Sequence, residues 1–261
     1  MRGPSASAPG RSPDGADHEH PEGRADGRAD DALRPVTIRA GVSANAEGSA
    51  LIQVGGTRVL CTASIEDRVP AHRRGSGGGW VTAEYAMLPR STVERTPRDR
   101  GGYQGARSQE IQRLIGRALR ASVDLAALGA RTVIVDCDVL EADGGTRVAA
   151  VTGGWVALHG ACRRLRAARL VRRDPIRRQV AAVSSGVVAG RPLLDLDYRE
   201  DVIATTDMNC VGTDDGRLVE VQGTAEGEPF SRTELERLLT LAQAGIVALA
   251  GVQREALAEA P

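Results

Sequence analysis

The chain has 261 residues, 41% of them hydrophobic, enough for one large domain or two small ones with a substantial core. Aromatic residues make up only 2% and the formal net charge is zero, which speaks against base-stacking platforms and against a uniformly basic nucleic-acid binder. No lysine occurs, so nucleic-acid or anion contact would rest on where the arginines cluster.

Residues 1–23 are rich in Gly, Pro, Ser, Asp and His and nearly devoid of large apolar side chains, which predicts a disordered extension ahead of one folded unit spanning 24–261. From Val36 the pattern turns to short β-type runs. SALIQV (49–54), Gly55-Gly56 and TRVLCTASI (57–65) predict a hairpin with a two-residue turn. VPAHRRGSGGGW (69–80) holds too much glycine for a regular element and reads as a mobile loop carrying Arg73 and Arg74, able to touch RNA or a neighbouring subunit.

Between Arg90 and Arg120 eight arginines face only Glu94, Asp99 and Glu110, a basic segment in a neutral protein. The planar guanidinium fork suits phosphate, although such a run is also what a solvated helix face looks like. Within it Ile111, Leu114, Ile115, Ala118 and Leu119 follow helical spacing, with Arg113, Arg117 and Arg120 on the other side and Arg107 near the helix start.

TVIVDCD (132–138) has the β-branched run of a buried strand. It leads through a loop, LEADGGTR, into a helix with Val148, Val151, Trp155, Leu158 and Cys162 along one side. After an arginine-rich linker near 163–178, AAVSSGVV (181–188) and the segment through Asp197 read as strands. VIATTDMNCVG and RLVEVQG flank an Asp215-Gly216 turn, a second hairpin signal. Ser231 and Glu234 form a capping box ahead of Leu235, Leu238, Leu239, Ala242, Ile246 and Leu249, predicting a long C-terminal helix. Strand pairs mixed with helices give an α+β fold of mixed β-sheets with packed helices.

The four cysteines, Cys61, Cys137, Cys162 and Cys210, form no Cys-x-x-Cys or Cys/His cluster, so no zinc site is signalled and they read as small buried hydrophobes of a reducing, cytoplasmic compartment. No secretory signal pattern and no run of about twenty apolar residues is present, so no membrane role is expected.

Two groupings carry chemistry. In DGGTR (143–147), between strand and helix, free backbone N–H groups at a helix start, the Thr146 hydroxyl and the Arg147 fork could hold an anion that Gly145 lets approach closely. It is not a Walker loop, which needs a lysine. Asp201 and Asp207, six residues apart, would share a face if the segment between them is extended, and two such carboxylates can hold Mg²⁺ or supply general acid catalysis. Asp195 and Asp197 have the same spacing logic, and spacing does not choose between the pairs.

In combination and order, LRPV (33–36), AEGSALI (46–52), GWVTAEYAMLPRST (79–92), EIQRLIGRALRA (110–121), DCDVLEADGGTR (136–147), LDLDYRED (194–201), DMN (207–209) and EVQGTAEGEPFS (220–231) resemble the ribonuclease PH family from about Gly27 to the C-terminal helix. The resemblance implies a ribosomal protein S5 domain 2-like fold. It also implies a phosphorolytic 3′-to-5′ exoribonuclease, a tRNA nucleotidyltransferase that trims tRNA precursors, releases nucleoside diphosphates and can run in reverse, with a possible part in rRNA processing.

By the same resemblance Arg107, Gly145, Thr146 and Arg147 would bind inorganic phosphate as co-substrate, and Asp201 and Asp207 would be the acidic pair, with Asp201 the first candidate for the acid and Mg²⁺ near Asp207, roles that could be exchanged. Asp195 and Asp197 would then be structural. Arg73, Arg74, Arg90 and Arg113 become expected RNA or subunit contacts in a homohexamer, a trimer of dimers. Ser108, Glu141 and Val148 depart from the family's usual Thr, Gln and Thr, and Glu141 places a negative charge near the anion loop. The rival readings are a non-catalytic RNA-binding ring subunit and a phosphate-using enzyme for small nucleosides.

Overall fold

A computed structural model describes residues 23–98 and 105–260. Apart from Gly23, the expected disordered extension lies outside the described residues, as do Asp99 and Arg100 of the arginine-rich segment.

Five strands build the first sheet: β1 (Val36–Ala40), β2 (Gly48–Val54), β3 (Thr57–Glu66), β4 (Trp80–Met87) and β5 (Thr132–Glu141). Their order is β1-β2-β3-β5-β4, antiparallel except for the parallel β4–β5 pair. A parallel pair needs a crossover, here supplied by α1 (Ala106–Ala121) and the short α2 (Leu125–Leu128). The predicted Gly55-Gly56 hairpin is present, with Val54 opposite Thr57. Alternation sets the faces: Val59, Cys61 and Ala63 of β3 and Val133, Val135, Cys137 and Val139 of β5 point into the core, their neighbours outward.

Helix α3 (Thr146–Ala167) covers that inner face. Its predicted one-sided stripe is too narrow, since Val148, Ala149, Ala150 and Val151 are all buried in succession. From Val148 to Leu158 the helix lies between two sheets and buries its whole girth, so small residues replace a polar face there. It runs to Ala167, which moves the expected linker to 168–179.

The second sheet, fully antiparallel, has the order β7-β6-β8-β9, from β6 (Val180–Val188), β7 (Arg191–Leu194), β8 (Thr206–Thr213) and β9 (Leu218–Ala225). Helix α5 (Arg232–Ala258) packs on its far side through Leu238, Ala242, Ile246 and Leu249. The predicted capping box forms, with the Glu234 N–H donating to Ser231 Oγ at 3.2 Å and the Ser231 N–H to Glu234 Oε2 at 2.6 Å. Gln253 of α5 is fully buried and satisfied, donating to the carbonyls of Thr152 and Val180 at 2.9 and 3.0 Å. By length and composition α5 alone among the described helices could cross a membrane, but its buried stripe sits on the sheet as a core helix would.

Two local expectations differ from the structure. The segment through Asp197 does not continue as a strand: Asp195 adopts φ 54°, and Asp197 caps a further helix, α4 (Tyr198–Ile203), so Val202 and Ile203 belong to a helix and β8 begins only at Thr206. The alternating LLDLDY pattern imitates a strand, whereas Asp197-x-x-Glu200 is a capping box that starts a helix. In the glycine-rich loop, one 3₁₀ turn at Ala71–Arg73 brings the Arg73 guanidinium 5.5 Å from the Trp80 ring centroid, so Arg73 is held while Arg74 is exposed.

Candidate active site

Strand β5 ends at Glu141, and the turn that follows is pinned from several sides. The Thr57 hydroxyl accepts the Asp143 N–H at 2.8 Å and donates to the Gly144 carbonyl at 2.7 Å, while Arg34 donates to the Asp143 carbonyl. Gly144 and Gly145 take φ 76° and 67° in succession. A Cβ on Gly144 would stand 2.7 Å from the Asp197 carbonyl carbon, so only glycine lets this turn pack against the start of α4. Gly145 is the N-cap of α3 and has no side chain to cap it, leaving the first-turn N–H groups for another acceptor.

Thr146 is buried, with Oγ1 2.8 Å from the hydroxyl of the equally buried Tyr85. Arg147 points from α3 toward β9 and α1: its NH1 donates to Gln222 Oε1 at 3.2 Å and pairs with Glu110 Oε2 at 3.4 Å. Gln222 in turn donates to Glu110 and Glu220 at 3.3 and 3.0 Å, and Arg117 forks onto Glu220. Arg147 is therefore aimed by an ordered polar chain. Arg107 stands exposed in the first turn of α1, and its charge, like that of Arg147, acts on the Tyr85 phenol and on both Asp201 and Asp207.

The two acids come from different elements, Asp201 from α4 and Asp207 from β8, so the extended-segment geometry expected for them is not how they meet. They meet nonetheless. Burial pushes the Asp207 carboxyl up to about 6, and the charge of Asp201 adds to that, against Arg147, the Asn209 amide at 3.3 Å and Arg107. Asp201 keeps solvent contact, yet the surrounding protein raises its carboxyl too, opposed by Arg107, Arg147 and Arg34. Two raised carboxylates under the charges of Arg107 and Arg147 could hold a hard cation, and the arginines an anion.

Among the described residues no three His, Cys, Asp or Glu side chains gather into a metal site. Two acids whose ligand shell would be completed by phosphate oxygens and water suit Mg²⁺ rather than a caged metal.

Asp195 and Asp197 have other work. Asp195 is buried and receives the Arg34 fork at 3.0 and 2.7 Å, and Asp197 accepts the Glu200 N–H at 2.9 Å. Glu141 pairs with Arg58 at 3.0 Å across the exposed face of the sheet, so its charge is already partnered. Arg74, Arg90 and Arg113 lie exposed. Spacing alone did not single out Tyr85, Gln222, Asn209 or Arg34. Tyr85 had one signal, the sole aromatic at an inward position of β4.

Residues 32–163 match domain 1 and residues 178–245 match domain 2 of the 3′ exoribonuclease family. The chain is 58% identical over 232 residues to a protein of Methylobacterium radiotolerans named Ribonuclease PH, covering 88% of this chain and 98% of that one. A Methylorubrum populi protein of the same name is 57% identical over the same shares. Among solved structures, the Archaeoglobus fulgidus exosome with RNA bound to the active site superposes with a TM-score of 0.76 at 24% identity, covering 88% of this chain and 92% of that one. An archaeal exosome core gives 0.71 at 23%, covering 89% and 91%. At these identities the structural likeness establishes the fold.

Proposed function

The chain belongs to the 3′ exoribonuclease family in its ribonuclease PH form, and from that premise we propose that it shortens tRNA precursors from the 3′ end by phosphorolysis at the Arg107, Thr146, Arg147, Asp201 and Asp207 site. The observation that carries the reading is the joint action of Arg107 and Arg147 on the Asp201–Asp207 pair: a cationic anion cradle and an acidic pair share one site.

Inorganic phosphate is held by the α3 N-terminus at Gly145, the Thr146 hydroxyl and the guanidinium groups of Arg107 and Arg147, which offset the repulsion between two anions and set the line of attack. A phosphate oxygen bonds to the last internucleotide phosphorus, and the bond to the penultimate 3′-oxygen breaks with its electron pair. Nucleoside diphosphate leaves, and the 3′-oxygen takes up a proton. We assign that proton to Asp207, the exchanged form of the expected roles, because burial pushes its carboxyl up to about 6. Asp201, on the solvent side, would hold Mg²⁺ together with substrate oxygens, and the ion would stabilise charge developing on phosphorus. An anhydride replaces a diester at little cost, so the enzyme also extends RNA from nucleoside diphosphates.

Exposed Arg74, Arg90 and Arg113 serve RNA or subunit contact in a homohexamer, and exposed Val93, at 92%, and Val202 and Ile203 fit burial between subunits. Four free, buried cysteines fit a cytoplasmic setting. Incubation of the protein with 3′-extended tRNA and Mg²⁺, with and without phosphate, tests the reading. Nucleoside diphosphates formed only with phosphate are expected; nucleoside monophosphates formed without it would overturn the mechanism.

A further inference from the structure

Helix α4 carries Asp201 but has little to hold it. It is six residues long, and Glu200 is its one buried side chain. A helix that short does not persist alone. Its apolar residues Tyr198, Val202 and Ile203 are 60%, 63% and 62% exposed, so within its own subunit no hydrophobic face docks it. The anchor comes from far away in sequence. Arg24, ahead of the first strand and 176 residues from Glu200, has a side chain only 1% exposed. Its Nε donates to Glu200 Oε1 at 2.8 Å and its NH2 to Oε2 at 2.6 Å, a bidentate fork. The same guanidinium donates to the carbonyls of Leu194 and Asp195 at 2.7 and 2.9 Å, fixing the left-handed turn that enters α4. Glu200 also accepts the Asp197 N–H at 3.0 Å, so one carboxylate closes the capping box and receives the fork.

We propose that Arg24 is a positioning residue for Asp201, acting through Glu200; its consequence for turnover rests on the phosphorolytic reading above. The other site groups are carried by other elements, with the turn ahead of α3 in contact with the start of α4. Asp207 sits in the ladder of β8, Thr146 and Arg147 on α3, and Arg107 on α1. Arg28 stands behind Arg24 as a looser second cation, 3.6 Å from Glu200 Oε2 and without the fork, so loss of Arg24 loosens α4 and shifts Asp201 while Asp207, Arg147 and Arg107 keep their own backbone supports. Lysine at this position keeps the charge but cannot reproduce the planar fork.

The test compares the full-length wild type with Arg24→Ala and Arg24→Lys, by phosphate-dependent nucleoside diphosphate release from 3′-extended RNA with Mg²⁺, and by hydrogen exchange. For Arg24→Ala, kcat per folded molecule should fall about 10²-fold while KM for phosphate stays within about twofold, as expected of a catalytic group displaced by an ångström. Arg24→Lys should lie between, and it provides the comparison if the alanine variant does not fold. Amides of residues 198–203 should exchange faster in the variants, with those in the first turn of α3 unchanged. Unchanged kcat per folded molecule, or faster exchange spread evenly over the protein, overturns the proposal. A wild type that releases no diphosphates refutes phosphorolysis instead, and faster exchange confined to α4 would still support the clamp.

Discussion

Asp207→Asn should inactivate the enzyme and at the same time stabilise its metal-free fold above neutral pH. In the folded protein the carboxyl rises from its ordinary 3.8 to about 6, chiefly through burial and next through the charge of Asp201. That displacement is equivalent to about 3 kcal/mol against the charged form, reduced to about 2 kcal/mol by the water that still reaches the group. The sign follows from proton uptake. Between 3.8 and about 6 the native state holds a proton that the unfolded chain has released, so native stability falls as pH rises through that window. Below it, Asp207 is neutral in both states and the penalty is absent. Above it, the penalty is complete. Asparagine carries no charge and escapes it. Thermal melts in the presence of a chelator should therefore place the variant's Tm about 4–8 °C above wild type at pH 8. The gain should shrink nearly to nothing at pH 4, and Mg²⁺ should narrow it at pH 8 by binding the wild-type pair. A variant no more stable than wild type at pH 8, or a gain that persists at pH 4, would refute the claim that this carboxylate is held charged against its surroundings.

Arg147→Ala removes one charged fork from the proposed phosphate cradle and should lower kcat/KM for phosphate about 10²-fold or more in a steady-state phosphorolysis assay, with the elution volume on gel filtration unchanged. Tyr85→Phe deletes the 2.8 Å bond to Thr146 and should raise KM for phosphate several-fold while costing about 1 kcal/mol in urea unfolding. Gly144→Ala combines a φ of 76° with a Cβ 2.7 Å from the Asp197 backbone; a loss of more than about 2 kcal/mol in unfolding free energy is expected, and a neutral result would show that the turn can move away from α4.

Much of the fold was readable because the signals were local. The Gly55-Gly56 turn, the β-branched run of β5 and the Ser231–Glu234 box each determine structure within a few residues, and each appears as expected. Where the reading slipped, tertiary surroundings overrode the local pattern. The all-round burial of α3 from Val148 to Leu158 follows from a second sheet contributed by residues beyond 179, and no periodicity inside the helix announces that partner. The alternation through Asp197 favoured a strand, but Arg24 and the Glu200 capping box favour a helix there.

The site divides in the same way. Sequence alone picked out the candidate anion cradle, since a strand end, two glycines, a hydroxyl and an arginine at a helix start are contiguous and their chemistry is local. The acids were nameable from the motif, but their meeting was not derivable from spacing, because it depends on a capped helix and a strand of the second sheet. Only the tertiary structure shows what surrounds each carboxylate: Arg34 and the α4 cap engage Asp195 and Asp197, and burial beside Asp201 lifts Asp207. The physical reason is that a carboxylate's role is set by the charges and donors that reach it through space, and here those come from residues 24, 34, 107 and 147, scattered along the chain.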